Sequence, residues 1–168
     1  MQICGAIEAH VLPLMDVVRE CIAEMRRAGI DQWDEIYPDR ATFLQDLHER
    51  TLFIAADGDA IAGAYVLNEC QNEEYREVPW TIDAQRIAVV HRLLVSPRCQ
   101  RKGIASMMVV DAERRAAAAG YDAIRLDAFT LNPTALRLYQ RHGYHDAGAM
   151  RLRKGLFRGF EKAIRPTH

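Results

Sequence analysis

The sequence lacks most of the features that would assign it quickly. Its four cysteines, Cys4, Cys21, Cys70 and Cys99, are scattered, with no CxxC pair and no histidine at metal-ligand spacing. That pattern argues against a zinc site, so no metal is expected. Nothing marks an exported disulfide scaffold either, so reduced thiols in a cytoplasm are the expected state. An excess of one charge sign is also missing. Basic and acidic side chains number 22 and 23, a formal net charge of -1, and no general nucleic-acid partner is expected. No stretch approaches the roughly 18 uninterrupted apolar residues of a membrane helix. The opening MQICGAIEAHVLPLMD has no basic lead before a long apolar run, unlike a signal peptide. A soluble, cytoplasmic protein with no membrane partner is expected. Neither GxxxxGK[ST] nor GxGxxG occurs, so a nucleoside triphosphate or a dinucleotide is not the natural ligand.

What is present reads as one globular domain over residues 1–168, without repeats, low-complexity tracts or an internal boundary. A short strand is expected at 3–7. A helix follows, because Leu14, Val17, Val18, Cys21 and Met25 fall on one face, and Gly29 stops it. Asp39 can cap a short helix that buries Phe43, Leu44 and Leu47. LFIAADGDAIAGAYVL reads as a hairpin turning at Asp57-Gly58. Residues 69–85 are polar with two aromatics and read as a long connection. IAVVHRLLV is apolar almost throughout, as a strand buried on both faces would be, and Pro97 ends it. Ala105, Met108, Val109, Ala112, Ala116 and Ala119 then mark a long amphipathic helix stopped at Gly120. A strand at 121–128 precedes a helix begun by Asn132 as N-cap and Pro133 in its first turn, with Gly143 closing it. Strands at 144–150 and 157–164 finish an α/β chain: a mixed sheet with helices on its faces.

The stretch QRKGIA, residues 100–105, sits between the apolar strand and the long helix. A helix N-terminus presents unpaired N–H groups and a partial positive charge. Gly103 lets a ligand approach the backbone, Ala105 keeps the first turn uncluttered, and Arg98, Arg101 and Lys102 add full charges. These are the parts of a phosphate or pyrophosphate cradle. A single glycine turn is also compatible with an ordinary loop. The second basic cluster, Arg151, Arg153, Lys154 and Arg158, reads as a solvated turn.

LLVSPRCQRKGIASMMV resembles the acyl-CoA-binding segment of the GNAT acetyltransferase superfamily, whose Q/R-x-x-G-x-G/A signature is met by Gln100, Gly103 and Ala105. Further on, LNPTALRLYQRHGY resembles that family's second segment, matched at Asn132, Ala135, Leu138, Tyr139, Gly143 and Tyr144. The resemblance is strong over residues 87–150. It implies the GNAT acyltransferase fold: a central, twisted, mostly antiparallel mixed sheet of about six to seven strands with helices on both faces. It also implies acetyl-CoA as cosubstrate and an amine acceptor. The backbone of Leu93 and Val95 would pair with the pantetheine arm, with Leu94 or Val95 N–H at the thioester carbonyl. The amides from Gln100 through Ile104 to Ala105, with Ser106, would hold the pyrophosphate, and Arg98, Arg101 and Lys102 could reach it. Asn132 and Ala135 fall in the cofactor segment, and Tyr139 takes the family position of the general acid.

The base is open. His91 alternates onto the strand face of Leu93 and Val95, Glu69 ends the hairpin, and Asp127 ends its strand. Residues 8–50 and 69–85 are expected to shape the acceptor site, with Trp33, Tyr37, Tyr75 and Trp80 as walls. Asp34, Glu35, Glu69, Glu73 and Glu74 would suit a cationic amine. The readings left standing are an N-acetyltransferase of small amines or protein amino groups, a transferase of another acyl-CoA, and a non-catalytic CoA-binding sensor or partner subunit. Many members of the superfamily dimerise, which leaves room for a homodimer.

Overall fold

A computed structural model describes residues 1–164; the last four residues of the expected domain, 165–168, lie outside the described residues. In chain order the elements are β1 (Gln2–Gly5), α1 (Val11–Arg27), α2 (Arg40–His48), β2 (Leu52–Asp57), β3 (Ala60–Asn68), β4 (Ile87–Val95), α3 (Ile104–Ala118), β5 (Ala123–Phe129), α4 (Pro133–Arg141), β6 (His145–Leu152) and β7 (Gly155–Ala163). The strands form one mixed sheet in the order β1-β2-β3-β4-β5-β7-β6. The β4–β5 pair is parallel, while β1–β2, β2–β3, β5–β7 and β6–β7 are antiparallel. The chain gathers into two compact units, Met1–Leu67 with Arg92–Met108, and Asn68–His91 with the chain from Val109 on, so β4 and α3 each contribute to both. No helix among the described residues is long and apolar enough to cross a membrane.

In the first unit, the stripe Leu14, Val17, Val18, Cys21 and Ile22 of α1 forms one cluster with Trp33, Phe43, Ile54, Val66 and Leu94. The 3.6-residue spacing of the stripe is what delivers it to a single face. The Asp39 carboxylate accepts a hydrogen bond from the Thr42 N–H at 2.8 Å and starts α2. That helix buries Phe43 and Asp46, while Leu44 and Leu47 are only partly covered, which corrects the apolar face expected for it. The reason lies on β4. Arg92 donates from Nε to Asp46 Oδ2 at 3.0 Å and from Nη1 to the Tyr37 hydroxyl at 2.8 Å. The two charged side chains are 10% and 5% exposed, so they satisfy each other out of water. Removing one partner from such a pair costs about 3–5 kcal/mol. Arg92 also has a left-handed φ of +50°, in mid-strand, and this pair fixes the side chain where β4 leaves regular geometry.

The hairpin turns at Gly58-Asp59 rather than Asp57-Gly58, because Asp57 still pairs with Ala60. A Cβ at Gly63 would sit 2.7 Å from the Leu94 carbonyl oxygen, so glycine is what allows β3 and the end of β4 to approach.

In the second unit, β4 pairs with β5 only from Ile87↔Ala123 to Val89↔Arg125, whereas β5 continues along β7 to Phe129↔Phe157. The polar connection 69–85 is an ordered structure. It holds a 3-10 turn, Glu73–Glu77, anchored by Tyr75, which is 2% exposed. Gly159 and Gly148 make room for it: a Cβ there would lie 2.8 Å from Trp80 and from Pro79 respectively.

Candidate active site

The glycine turn belongs to the first unit. β4 stops at Val95, a 3-10 turn spans Pro97–Cys99, and α3 begins at Ile104. Gly103 has φ +79°, and a Cβ placed on it would meet nothing within 4 Å. Glycine is thus favoured here by backbone conformation, not by crowding from the protein itself. Arg101 shares the left-handed conformation, with φ +61°. Ile104 is buried and pins the helix start, leaving Gln100, Arg101, Lys102 and Gly103 exposed and Ala105 and Ser106 half-covered. Arg98 donates to Glu20 at 2.6 Å, whereas Arg101 and Lys102 have no ion-pair partner among the described residues. Leu93 and Val95 are half-exposed while Leu94 is buried, the alternation of a strand with one accessible face. The Cys21 thiol donates to the Val95 carbonyl at 3.4 Å; burial, helped by Glu20, pushes its pKa up to about 12, so it serves as a structural thiol.

The remaining site candidates fall in the second unit. Asn132 N-caps α4, its side chain accepting from Ala135 N–H at 3.2 Å, so the two residues of the cofactor segment are bonded to each other. Tyr139 is enclosed, with the rings of Tyr144 and Phe160 each centred 5.9 Å away. Burial first, and then the charge of Asp127, hold its phenol above the ordinary tyrosine range. Asp127 keeps a small accessible surface while protein packs round its carboxyl, and it accepts the Tyr75 hydroxyl at 2.8 Å. Burial raises its pKa, and the hydrogen bond only partly opposes that.

His91 is differently placed. Its Nε2 lies 3.0 Å from Asn68 Oδ1 and 2.9 Å from the Cys70 carbonyl oxygen, while the Cys70 N–H donates to the same Asn68 oxygen. Two acceptors facing Nε2 put the hydrogen there, so that nitrogen donates. Glu69 lies just past the end of β3. It is exposed, accepting the Tyr121 hydroxyl at 2.8 Å with Arg86 at 3.8 Å.

Tyr75, which bonds Asp127, also lines a recess of about 650 Å³ together with Gln71, Asn72, Glu73, Arg76, Trp80 and Arg125. Of the four aromatics expected as walls, Tyr75 and Trp80 line it. Trp33 is packed in the first unit's core, and Tyr37 stacks on Arg92. The acids expected there are mostly engaged elsewhere: Glu35 with Arg26, and Asp34 with the N–H groups of Ile36 and Tyr37. Glu73 lines the recess together with two arginines, Arg76 and Arg125. The signal for Arg125 was in AIRLDAF, whose alternation places Arg125 and Asp127 on one strand face. Among the described residues no group of His, Cys, Asp or Glu is placed to hold a metal ion.

The mixed sheet, with its parallel pair β4–β5 ending early and a glycine turn feeding α3, has the acyltransferase fold. The chain matches the family model described as the acetyltransferase (GNAT) family over residues 18–144, and it belongs to that family, which uses acetyl-CoA as cosubstrate. Solved structures share the fold throughout. A GNAT acetyltransferase from Streptococcus agalactiae superposes with a TM-score of 0.86 at 22% identity, over 98% of this chain and 95% of that one. A Staphylococcus aureus acetyltransferase gives 0.78 at 23%, over 98% and 100%. The ribosomal-protein-S18-alanine N-acetyltransferase of Escherichia coli gives 0.73 at 13%, over 99% and 96%. No curated protein matches the chain by sequence.

Proposed function

We propose that the protein is an N-acetyltransferase that moves the acetyl group of acetyl-CoA to a primary amine by direct attack in a ternary complex. The backbone of Leu93, Leu94 and Val95 takes the pantetheine arm as a neighbouring strand would, and one of its N–H groups polarises the thioester carbonyl. The amides of residues 100–105, with Ser106, hold the pyrophosphate. The observation that carries the catalytic reading is the enclosed Tyr139 phenol, packed against Tyr144 and Phe160, together with Asp127, a carboxylate tethered by the Tyr75 hydroxyl.

The amine nitrogen attacks the thioester carbon, the C–S bond breaks, and N-acetylated product and CoA leave. The amine's proton goes to Asp127, directly or through one water, and the departing sulfur takes the proton of the Tyr139 hydroxyl. Burial makes Asp127 a stronger base than an ordinary carboxylate. Once it is protonated, the charge that helps hold up the Tyr139 phenol is gone, so the acid strengthens as the sulfur needs its proton. Asp127 is favoured over Glu69, which is exposed and already partnered, and over His91, which with Nε2 donating to Asn68 and Cys70 could take a proton only at Nδ1.

Acetyl-CoA turnover across a panel of primary amines, in wild type and Tyr139→Phe, tests the reading. The expected result is an active wild type and a variant about 10²- to 10³-fold slower with unchanged CoA affinity. Tight CoA binding without turnover of any amine would instead make the chain a CoA-binding module.

A further inference from the structure

Arg125 has no carboxylate within ion-pairing distance among the described residues. Its guanidinium lies 4.4 Å over the Trp80 ring, and Nη1 donates to Gln71 Oε1 at 2.9 Å. The indole is itself fixed, its Nε1–H donating to the Tyr75 carbonyl at 2.7 Å. The Nε of Arg125 is enclosed without a hydrogen-bond partner, so the group carries more donor capacity than the protein satisfies. The nearest acid on the neighbouring strand is Glu161, directly opposite on β7. Its carboxylate is spent: Oε1 accepts the Thr81 N–H and hydroxyl, each at 2.7 Å, and Ile82 N–H completes the set at 3.3 Å. Partial burial lowers the pKa of Arg125, and the nearby Glu161 charge only partly opposes it. A guanidinium stacked, held by an amide and turned toward a recess is prepared for planar recognition of a carboxylate.

Arg125 and Asp127 sit two residues apart on β5, on one face, with backbone positions about 6–7 Å apart. A small molecule carrying an amine and a carboxylate spans such an interval with one hydrogen bond at each end. Arg76 adds a second positive charge to the lining, against the single acid Glu73. We propose that the acceptor is a free amino acid or a closely related amino carboxylate, its carboxylate gripped by Arg125 and its amine delivered to Asp127. This rests on the acetyl-transfer reading for its chemistry but on Arg125 for its selectivity.

The test compares matched sets: each amino acid, its carboxamide, its decarboxylated amine and a neutral peptide beginning with the same residue. In wild type at least one amino acid should exceed its carboxamide in kcat/KM by about tenfold or more, because a site built to bond a group rejects the analogue without it. Arg125→Gln should bring that ratio within about twofold, at unchanged KM for acetyl-CoA. Arg125→Lys, which keeps the charge but not the fork, should retain only part of the preference, and it decides the matter if the Gln variant fails to fold. Calorimetric binding of the preferred amino acid in the presence of CoA reads the grip without turnover. If no amine is acetylated, yet that binding is lost in Arg125→Gln, acetyl transfer falls and the carboxylate site stands. Carboxamides or neutral peptides used as well as the acids, a preference surviving Arg125→Gln, or no amino-acid binding at all would overturn the proposal.

Discussion

The glycine turn at residues 100–106 and the recess over β5 are prepared for ligands by opposite means. The turn offers backbone: a left-handed glycine with open space around it, at the head of a helix. The recess offers side chains fixed by one another: Tyr75 on Asp127, Trp80 on the Tyr75 carbonyl, and Arg125 on Trp80. A backbone site demands particular residue types at particular positions, so one cosubstrate leaves a recognisable pattern. A side-chain site can be retuned by single replacements on the same scaffold, and in the proposed reading it carries the choice of acceptor.

The sharpest way to break this contrast is Asp127→Asn. With Asp127 as the proton acceptor, kcat/KM should fall about 10²- to 10³-fold near neutral pH, while acetyl-CoA affinity, held by the other region, stays constant. The pH profile adds a signature. Burial raises the Asp127 pKa, so wild-type kcat/KM should climb with pH through a midpoint above the ordinary carboxylate value near 3.9, and the Asn variant should lose that limb. The stability change has the opposite sign. The unfolded carboxyl ionises first, so wild-type stability declines as pH rises from the unfolded pKa to the folded one, and the variant should lack that decline. An unchanged rate limb would return the base to His91 or Glu69.

Next in size is Gly103. Alanine there takes on the strain of φ +79°, on the order of 1 kcal/mol, and its Cβ meets no protein atom. Valine, being β-branched, is strained further, so thermal stability should drop in both variants and more in Gly103→Val. Acetyl-CoA affinity should fall by well over tenfold with valine and by clearly less with alanine, because only the branched side chain bars phosphate from the amides. Equal affinities measured by calorimetry would remove the backbone grip and with it the contrast.

Legibility in the sequence followed the same division. The glycine turn, α3 and the N-cap of α4 could be read because local chemistry forces them: Gly103 for conformation, Asn132 and Pro133 for starting a helix, and periodicity for the buried face. The hairpin was read one residue out of register at its turn, since Asp57 and Asp59 flank Gly58 alike and only strand pairing separates them. What escaped were pairings between residues remote in the chain. Asp46 looked like the polar side of α2 until Arg92, on β4, made it a buried residue. Tyr75 looked like a loop aromatic until it reached Asp127. No local pattern encodes such meetings. Arg125 escaped for another reason: it stands inside a strand, where alternation alone marks which face a side chain takes.

The smallest effect expected lies among the three cations that make the turn look basic. Arg98 is already paired with Glu20, and an exposed pair of this kind is worth about 0–1 kcal/mol. Arg98→Ala should therefore leave the KM for acetyl-CoA within about twofold. Arg101 and Lys102 are exposed and lack ion-pair partners among the described residues, so each can lend its charge to a bound pyrophosphate. Replacing either with alanine should raise KM about two- to fivefold at low salt, and the gap should close as screening shortens to about 8 Å near physiological ionic strength. A salt-independent loss in Lys102→Ala would mean a direct, desolvated contact instead, and the turn would then hold its ligand partly by side chains, as the recess does. A salt-dependent one keeps the two regions distinct, with the amides binding and the cations attracting.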